Sequence, residues 1–190
     1  MADPSSSAPA AGERILDATM TVLARDGAAG VSMRAVAREA GVSLGLANYH
    51  FEGKTALICA ALERIGQKDL ELVAAADGMA PVDALRDALR RAVDPSFLVP
   101  AYLSLRLQLW SLAGVDETFA EINRRAQRRY LDGLASLIAA ARPDLGRAEV
   151  ERRAADVLIE QNGVWLTAVL VPDAAAVARA IERCERLALG

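Results

Sequence analysis

Residues 31–54 read VSMRAVAREAGVSLGLANYHFEGK, and this stretch decides the fold. Ser32 suits a helix N-cap, its side-chain oxygen accepting one of the backbone N–H groups that a first turn leaves free. Val36 and Ala40 then fall four residues apart, on one helix face. Gly41 suits the position just past a helix end, where φ is usually positive. Ser43, two residues on, can cap a second helix. A helix, a short glycine-containing turn and another helix make a helix-turn-helix, an arrangement that lays its second helix in the major groove of DNA. A further helix follows, opening near Lys54.

Periodicity sets the frame of the second helix. Val42, Ala47 and Phe51 fall at i, i+5 and i+9, on a face turned into a helical core, which leaves Leu44, Gly45, Leu46 and Asn48 outward. Outward leucines are either ordinary exposed apolar residues or contacts for thymine methyl groups. Gly45 costs about 1 kcal/mol inside a helix, a cost that makes sense where the backbone must come close to base edges. Asn48 has the amide for a bidentate contact to adenine, and Arg34 the guanidinium for guanine. Lys54 stands in a first turn, where the helix dipole disfavours a cation. Together with the free N–H groups of that turn, however, it forms an anion site suited to a phosphate.

Working outward, Ile15, Thr19, Val22 and Leu23 give a helical period over about Glu13–Asp26, ended by Asp26-Gly27. The helix beginning near Gly53 continues through Ile58, Leu62 and Ile65 to about Ala76, and Asp77-Gly78 through Pro81 punctuate the chain. Beyond them the pattern predicts helices over about 82–93, 97–113, 116–142, 147–170 and 173–188, with a break at Asp94-Pro95 and Pro100 as an alternative one. The fold class is all-α with about nine helices. A composition of 53% hydrophobic but only 4% aromatic residues agrees, because strand formers are scarce.

No apolar run approaches the ~20 residues that span a bilayer, and MADPSSSAPAAG lacks both the positive and the apolar region of a signal peptide. We expect a disordered arm over 1–12, no membrane association and a cytoplasmic protein. Cys59 and Cys184, far apart and without a CxxC, read as reduced small hydrophobes. No metal-ligand spacing, nucleotide-binding glycine loop or paired catalytic carboxylates occur, so no metal, cofactor or enzymatic activity is expected. The net charge of −3 counts against a general nucleic-acid coat protein. A sequence-specific binder needs only a local positive surface, and residues 32–54 carry Arg34, Arg38 and Lys54 against Glu39 and Glu52.

The run GVSLGLANYHFEGKTAL, with SMRAVAREA and the amphipathic helix before it, resembles the DNA-binding domain of the TetR family of transcriptional repressors over about Glu13–Leu62. LRLQLWSLAG, INRRAQRRYLDGL and LIEQNGVWLTAVL are similar to the ligand-sensing half of its BetI-like branch. The resemblance implies an N-terminal three-helix helix-turn-helix domain over 13–58 and a larger helical ligand-binding and dimerisation domain over 59–190. It makes Ser43–His50 the recognition helix. Tyr49, His50 and Lys54 fall at positions that hold the phosphate backbone, with Ser32, Met33 and Ser43 near them. For His50, packing into the core is an equal alternative.

The segment GVWLTAVLV lies in a helix apolar nearly all round, which must bury more than one side. Either both sides are covered within one chain or one meets a partner. The resemblance implies the second, the last two helices of two chains forming a four-helix interface with Trp165, Ala168, Val177, Ile181 and Cys184. Polar or aromatic residues within apolar helices are the pocket candidates: Tyr102, Arg106, Trp110, Gln161 and Trp165. Plain core packing is the alternative for each. BetI-like proteins imply a small quaternary-amine or aldehyde metabolite; Arg106 on the helix of Trp110 leaves an anionic or neutral one equally open. The basic pairs Arg124-Arg125 and Arg128-Arg129 read as a solvated stripe. The function expected is a homodimeric, ligand-responsive repressor that binds a pseudo-palindromic double-stranded operator and is released by a small-molecule inducer. A small-molecule-binding enzyme, or a helical interaction module using the motif for protein contacts, is the alternative.

Overall fold

The computed structural model describes residues 11–75, 78–94 and 97–190. Among these the chain forms nine helices and no strand. They are α1 (Ala11–Gly30), α2 (Met33–Ala40), α3 (Leu44–His50), α4 (Lys54–Leu72), α5 (Pro81–Arg91), α6 (Pro100–Ala113), α7 (Glu117–Ala141), α8 (Arg147–Leu170) and α9 (Ala174–Leu189). None of them is long and apolar enough to cross a membrane.

Four boundaries differ from expectation. α1 begins at Ala11, two residues inside the expected arm, whose first ten residues lie outside the described ones. It also runs on to Gly30, with Gly27 as a break inside it (φ 70°, ψ −179°) rather than as its end. α6 starts at Pro100 instead of near residue 97, because proline lacks the N–H that an earlier start would require and holds Val99 extended. α4 ends at Leu72, short of the expected end near Ala76, with residues 73–75 already outside the helix. Ala76, Asp77 and Pro95 themselves lie outside the described residues.

The helix-turn-helix is built by its caps. Ser32 Oγ accepts from Ala35 N–H and Ser43 Oγ from Leu46 N–H, each at 3.1 Å. Gly41 takes φ 65°, which lets Val42 N–H reach Ala37 C=O at 3.0 Å and closes the end of α2. Val36 and Ala47 then meet Ile15, Val22, Leu23, Leu57 and Ile58 in a first core, completed by Leu105, Leu109 and Phe119. A second core gathers Leu85, Leu89, Leu103, Leu134, Ile138, Val157, Trp165 and Cys184. At ~1.5–3 kcal/mol for each fully buried large side chain, these two clusters supply most of the drive to fold.

α4 joins the cores, giving Ile58, Leu62 and Ile65 to the first and Leu72 to the second. It lies close on α7. A Cβ added at Gly66 would stand 2.8 Å from that of Ala126, and one added at Gly133 would stand 2.6 Å from Val73 Cγ2. From Gly66 and Ala126 to Val73, just past the end of α4, and Gly133, both chains advance by seven residues, so the two helices run parallel and close along a seam where one partner is glycine each time.

Candidate functional site

The N-terminal halves of the caps decide what α3 shows to solvent. With Ser43 fixing its first turn and Ala47 fully buried beneath it, α3 leaves Leu44, Gly45, Asn48, Tyr49 and His50 exposed, Tyr49 at 83%. Leu46 is half-buried. Over Gly45 the surface is open: a Cβ there would meet only Ser43 Oγ, at 3.9 Å. The Tyr49 and His50 rings stand edge to face at 5.3 Å. His50 Nδ1 also lies 3.4 Å from where a Cβ on Gly12 would stand, so the exposed ring sits against the start of α1.

Ser32 and Arg34 are exposed at the start of α2, while Met33 is half-buried and packs on the first core. Lys54 is exposed at the start of α4, after Gly53 at φ 94°, a conformation that leaves the turn to a glycine. Arg25 reaches Glu39 at 2.9 Å and Asp26 at 2.9 Å, and these hydrogen bonds push its own pKa up. Arg34 and Lys54 are exposed at the first turns of α2 and α4, and neither makes an ion pair with any described residue.

The five pocket candidates come together, though not as an open pocket. Arg106 is 2% exposed, its guanidinium carbon 4.0 Å from the Trp165 ring centroid and 5.0 Å from that of Trp110. Its Nη1 donates to the Asp69 carboxylate, which also accepts from Tyr102 Oη at 3.2 Å. Tyr130 Oη donates to Gln161 Oε1 at 2.9 Å, and Phe97 packs on both Tyr102 and Trp165. Burial raises the pKa of both tyrosines and, despite Arg106, that of Asp69. Where α4, α6 and α7 meet, a void of about 20 Å³ is lined by Asp69, Arg106, Trp110, Asn123 and Gln127. That is room for about one water molecule.

Asp69, Phe97 and Tyr130 were not singled out from sequence. For Asp69 a signal existed: Ile58, Leu62, Ile65, Asp69 and Leu72 step by four and three along α4, so the acid occupies a position of the apolar stripe. The four arginines of this stripe on α7 are exposed, and three of them face acids. Arg124 meets Glu117 and Glu121, Arg125 meets Glu63, and Arg128 meets Glu121.

Two residues expected at a subunit interface are turned inward. Trp165 is 1% exposed and its Nε1 donates to Ala92 C=O at 2.8 Å; Cys184 is buried in the second core, which pushes its thiol up to about 12. Both side chains are thus buried within a single chain. Ala168, Val177 and Ile181 are half-buried. The outward apolar residues are instead Ile159, Leu166, Leu170 and Val171, beside a groove between α8 and α9 lined by Gly163, Thr167, Val177 and Ala180.

Comparison with known proteins agrees with this geometry. The profile of bacterial regulatory proteins of the tetR family matches residues 15–61, and that of the C-terminal part of BetI-type transcriptional repressors matches residues 81–189. The HTH-type transcriptional regulator BetI of Vibrio parahaemolyticus is 26% identical over 163 residues, spanning 84% of this chain and 80% of the relative. A transcriptional regulator from Rhodococcus sp. Rha1 superposes with a TM-score of 0.78 at 27% identity, over 95% of this chain and 96% of that one. The multidrug binding protein EbrR, complexed with ethidium, superposes with a TM-score of 0.70 at 25% identity, over 94% and 98%. Both halves are matched in order, and the capped helix-turn-helix stands exposed at one end: the chain belongs to the TetR family of transcriptional regulators, with a DNA-binding helix-turn-helix followed by a BetI-type C-terminal half.

Proposed function

We propose that the protein is a homodimeric repressor that binds a pseudo-palindromic operator and leaves it when a small molecule enters the C-terminal half. The observation that carries this reading is the exposed face of α3, with Leu44, Gly45 and Asn48 outward, together with Arg34 and Lys54, exposed and without an ion pair to any described residue. Asn48 and Arg34 read base edges, Leu44 and Leu46 contact thymine methyls, and Ser32, Met33, Ser43, Tyr49, His50 and Lys54 hold the backbone. Ile159, Leu166 and Leu170, exposed on α8 beside Val177 and Ile181 of α9, supply the face that a second copy covers. Two copies place two recognition helices about one DNA turn, ~34 Å, or a multiple of it apart. Such a protein works where the DNA is, in the cytoplasm.

The link between the halves is α4. Lys54 opens it and Asp69 stands fifteen residues on, about 22 Å along the same rod. A molecule that parts the cluster around Arg106 moves one end of that rod and, with it, the spacing of the recognition helices. The neighbour EbrR carries ethidium, which supports a small molecule as the effector. Selection of genomic fragments on the purified protein, then fluorescence anisotropy at stated salt, tests the reading. It predicts enrichment of inverted repeats bound by two chains. A protein that stays monomeric and shows no preference among duplexes overturns it.

A further inference from the structure

The cluster around Arg106 is more than ordinary filling. Of the eight aromatic residues in the chain, five (Phe97, Tyr102, Trp110, Tyr130 and Trp165) join it. Such a set of rings facing a carboxylate suits a cation, and the chain's own arginine fills that place. An incoming cation would have to evict a buried guanidinium that is paired with Asp69 and stacked on two indoles. An anion leaves the guanidinium in place and has only to take over its pairing from Asp69. Arg106 Nε is buried with no hydrogen-bond acceptor among the described residues, and the void beside it is lined by Asn123 and Gln127, whose side-chain amides can donate.

We propose that the effector of this protein is a small carboxylate with a flat apolar body, which takes Arg106 as its anchor and displaces Asp69 from it. The proposal rests on the repressor reading above and names its ligand class. The ligand carboxylate forms the fork-to-fork pair that one Asp69 oxygen leaves incomplete, and its body lies against Trp110. Asp69 then loses its cation and takes up a proton from solvent. Burial already holds its carboxyl above the ordinary range. The titratable groups that face it are Arg106 and Tyr102 of α6, Tyr130 of α7 and Lys68 of α4 itself. The exchange cuts the tie between α4 and α6, which is how the ligand reaches the DNA-binding end. Because the void holds about one water, binding requires α4, α6 and α7 to part.

The chain has two tryptophans, and both are in the cluster, so tryptophan emission reports on this site alone. The full-length protein is titrated with benzoate, benzamide and benzyltrimethylammonium, which share a ring and differ in charge. Benzoate is expected to change the emission at concentrations at least tenfold below the other two and to release selected DNA over the same range. Asp69→Asn is expected to tighten benzoate about tenfold. Since Arg106→Gln alone leaves a buried carboxylate unpaired, the loss-of-site variant is the double Asp69→Asn/Arg106→Met, with its fold checked by circular dichroism. It is expected to lose the benzoate response. A stronger response to the cation, a response to benzoate that survives the double substitution, or none to benzoate by the folded wild type overturns the proposal. DNA binding without any benzoate response sinks the ligand class alone; failure to bind DNA sinks the repressor reading.

Discussion

Gly66→Ala isolates the seam that positions α4. In an ordinary helix interior this substitution stabilises by about 1 kcal/mol, because alanine restricts the unfolded chain more than glycine does. Here the new Cβ would stand 2.8 Å from the Ala126 Cβ and 3.9 Å from its Cα. Carbon atoms rest at about 3.5–4.0 Å, so the helices must separate by roughly an ångström. Overpacking of this kind costs about 1–3 kcal/mol. The net change is then a loss of up to about 2 kcal/mol where surface logic predicts a gain. At about 2–4 °C per kcal/mol for a chain of this size, Tm falls by up to about 8 °C. Ala126→Gly alone loses about 1 kcal/mol of helix propensity. In the double variant the propensities cancel and the methyl group has crossed the seam, so stability returns close to wild type. The assay is urea unfolding of the four proteins at one protein concentration, since dimerisation contributes to apparent stability. A coupling of about 1–3 kcal/mol between the sites is expected. Additive single effects, or a stabilising Gly66→Ala, would refute the close seam and with it the way α7 holds α4.

Other perturbations address the remaining parts. Lys54→Ala should weaken binding to every duplex about equally and lower the salt slope by about one, whereas Asn48→Ala should cost ~1–3 kcal/mol at one base pair and relax preference there; anisotropy on operator variants separates the two. Leu170→Asp, at a position 67% exposed, should leave a folded chain but abolish the dimer, read by light scattering; a persistent dimer would place the interface elsewhere. Hydrogen bonds from Arg142 to Asp144, and from Arg152 and then Arg153 to Glu149, hold both carboxyls at about 2. Their contribution is therefore complete above the unfolded value of ~4 and lost as pH falls toward about 2. Glu149→Gln should flatten the acid side of a stability–pH curve followed by circular dichroism.

The helix-turn-helix was legible because each of its features is local. Ser32 and Ser43 cap, Gly41 turns left-handed, and Ala47 faces in, all within one short stretch. What failed to show was decided by distant partners. α8 carries apolar residues on every side, so periodicity could not say that Val157, Gln161, Val164 and Trp165 face the chain's own core while Ile159, Leu166 and Leu170 face out. Cys184 joins Ala180 and Ala188 on the buried stripe of α9, at a spacing equally compatible with an outward one. A single acid in an amphipathic helix reads as surface; the partners that make the burial of Asp69 tolerable, Arg106 and Tyr102, are thirty-seven and thirty-three residues away.

The central claim is that two copies of α3 read one operator together. The direct measurement is the affinity of the protein for a selected inverted repeat and for the same repeat with about five base pairs, half a helical turn, inserted between its halves. The account predicts two chains bound to the first duplex and a loss of at least a hundredfold in affinity for the second, since the two helices would then face opposite sides of the DNA. Equal affinity for both duplexes, or one chain bound to each, would contradict it.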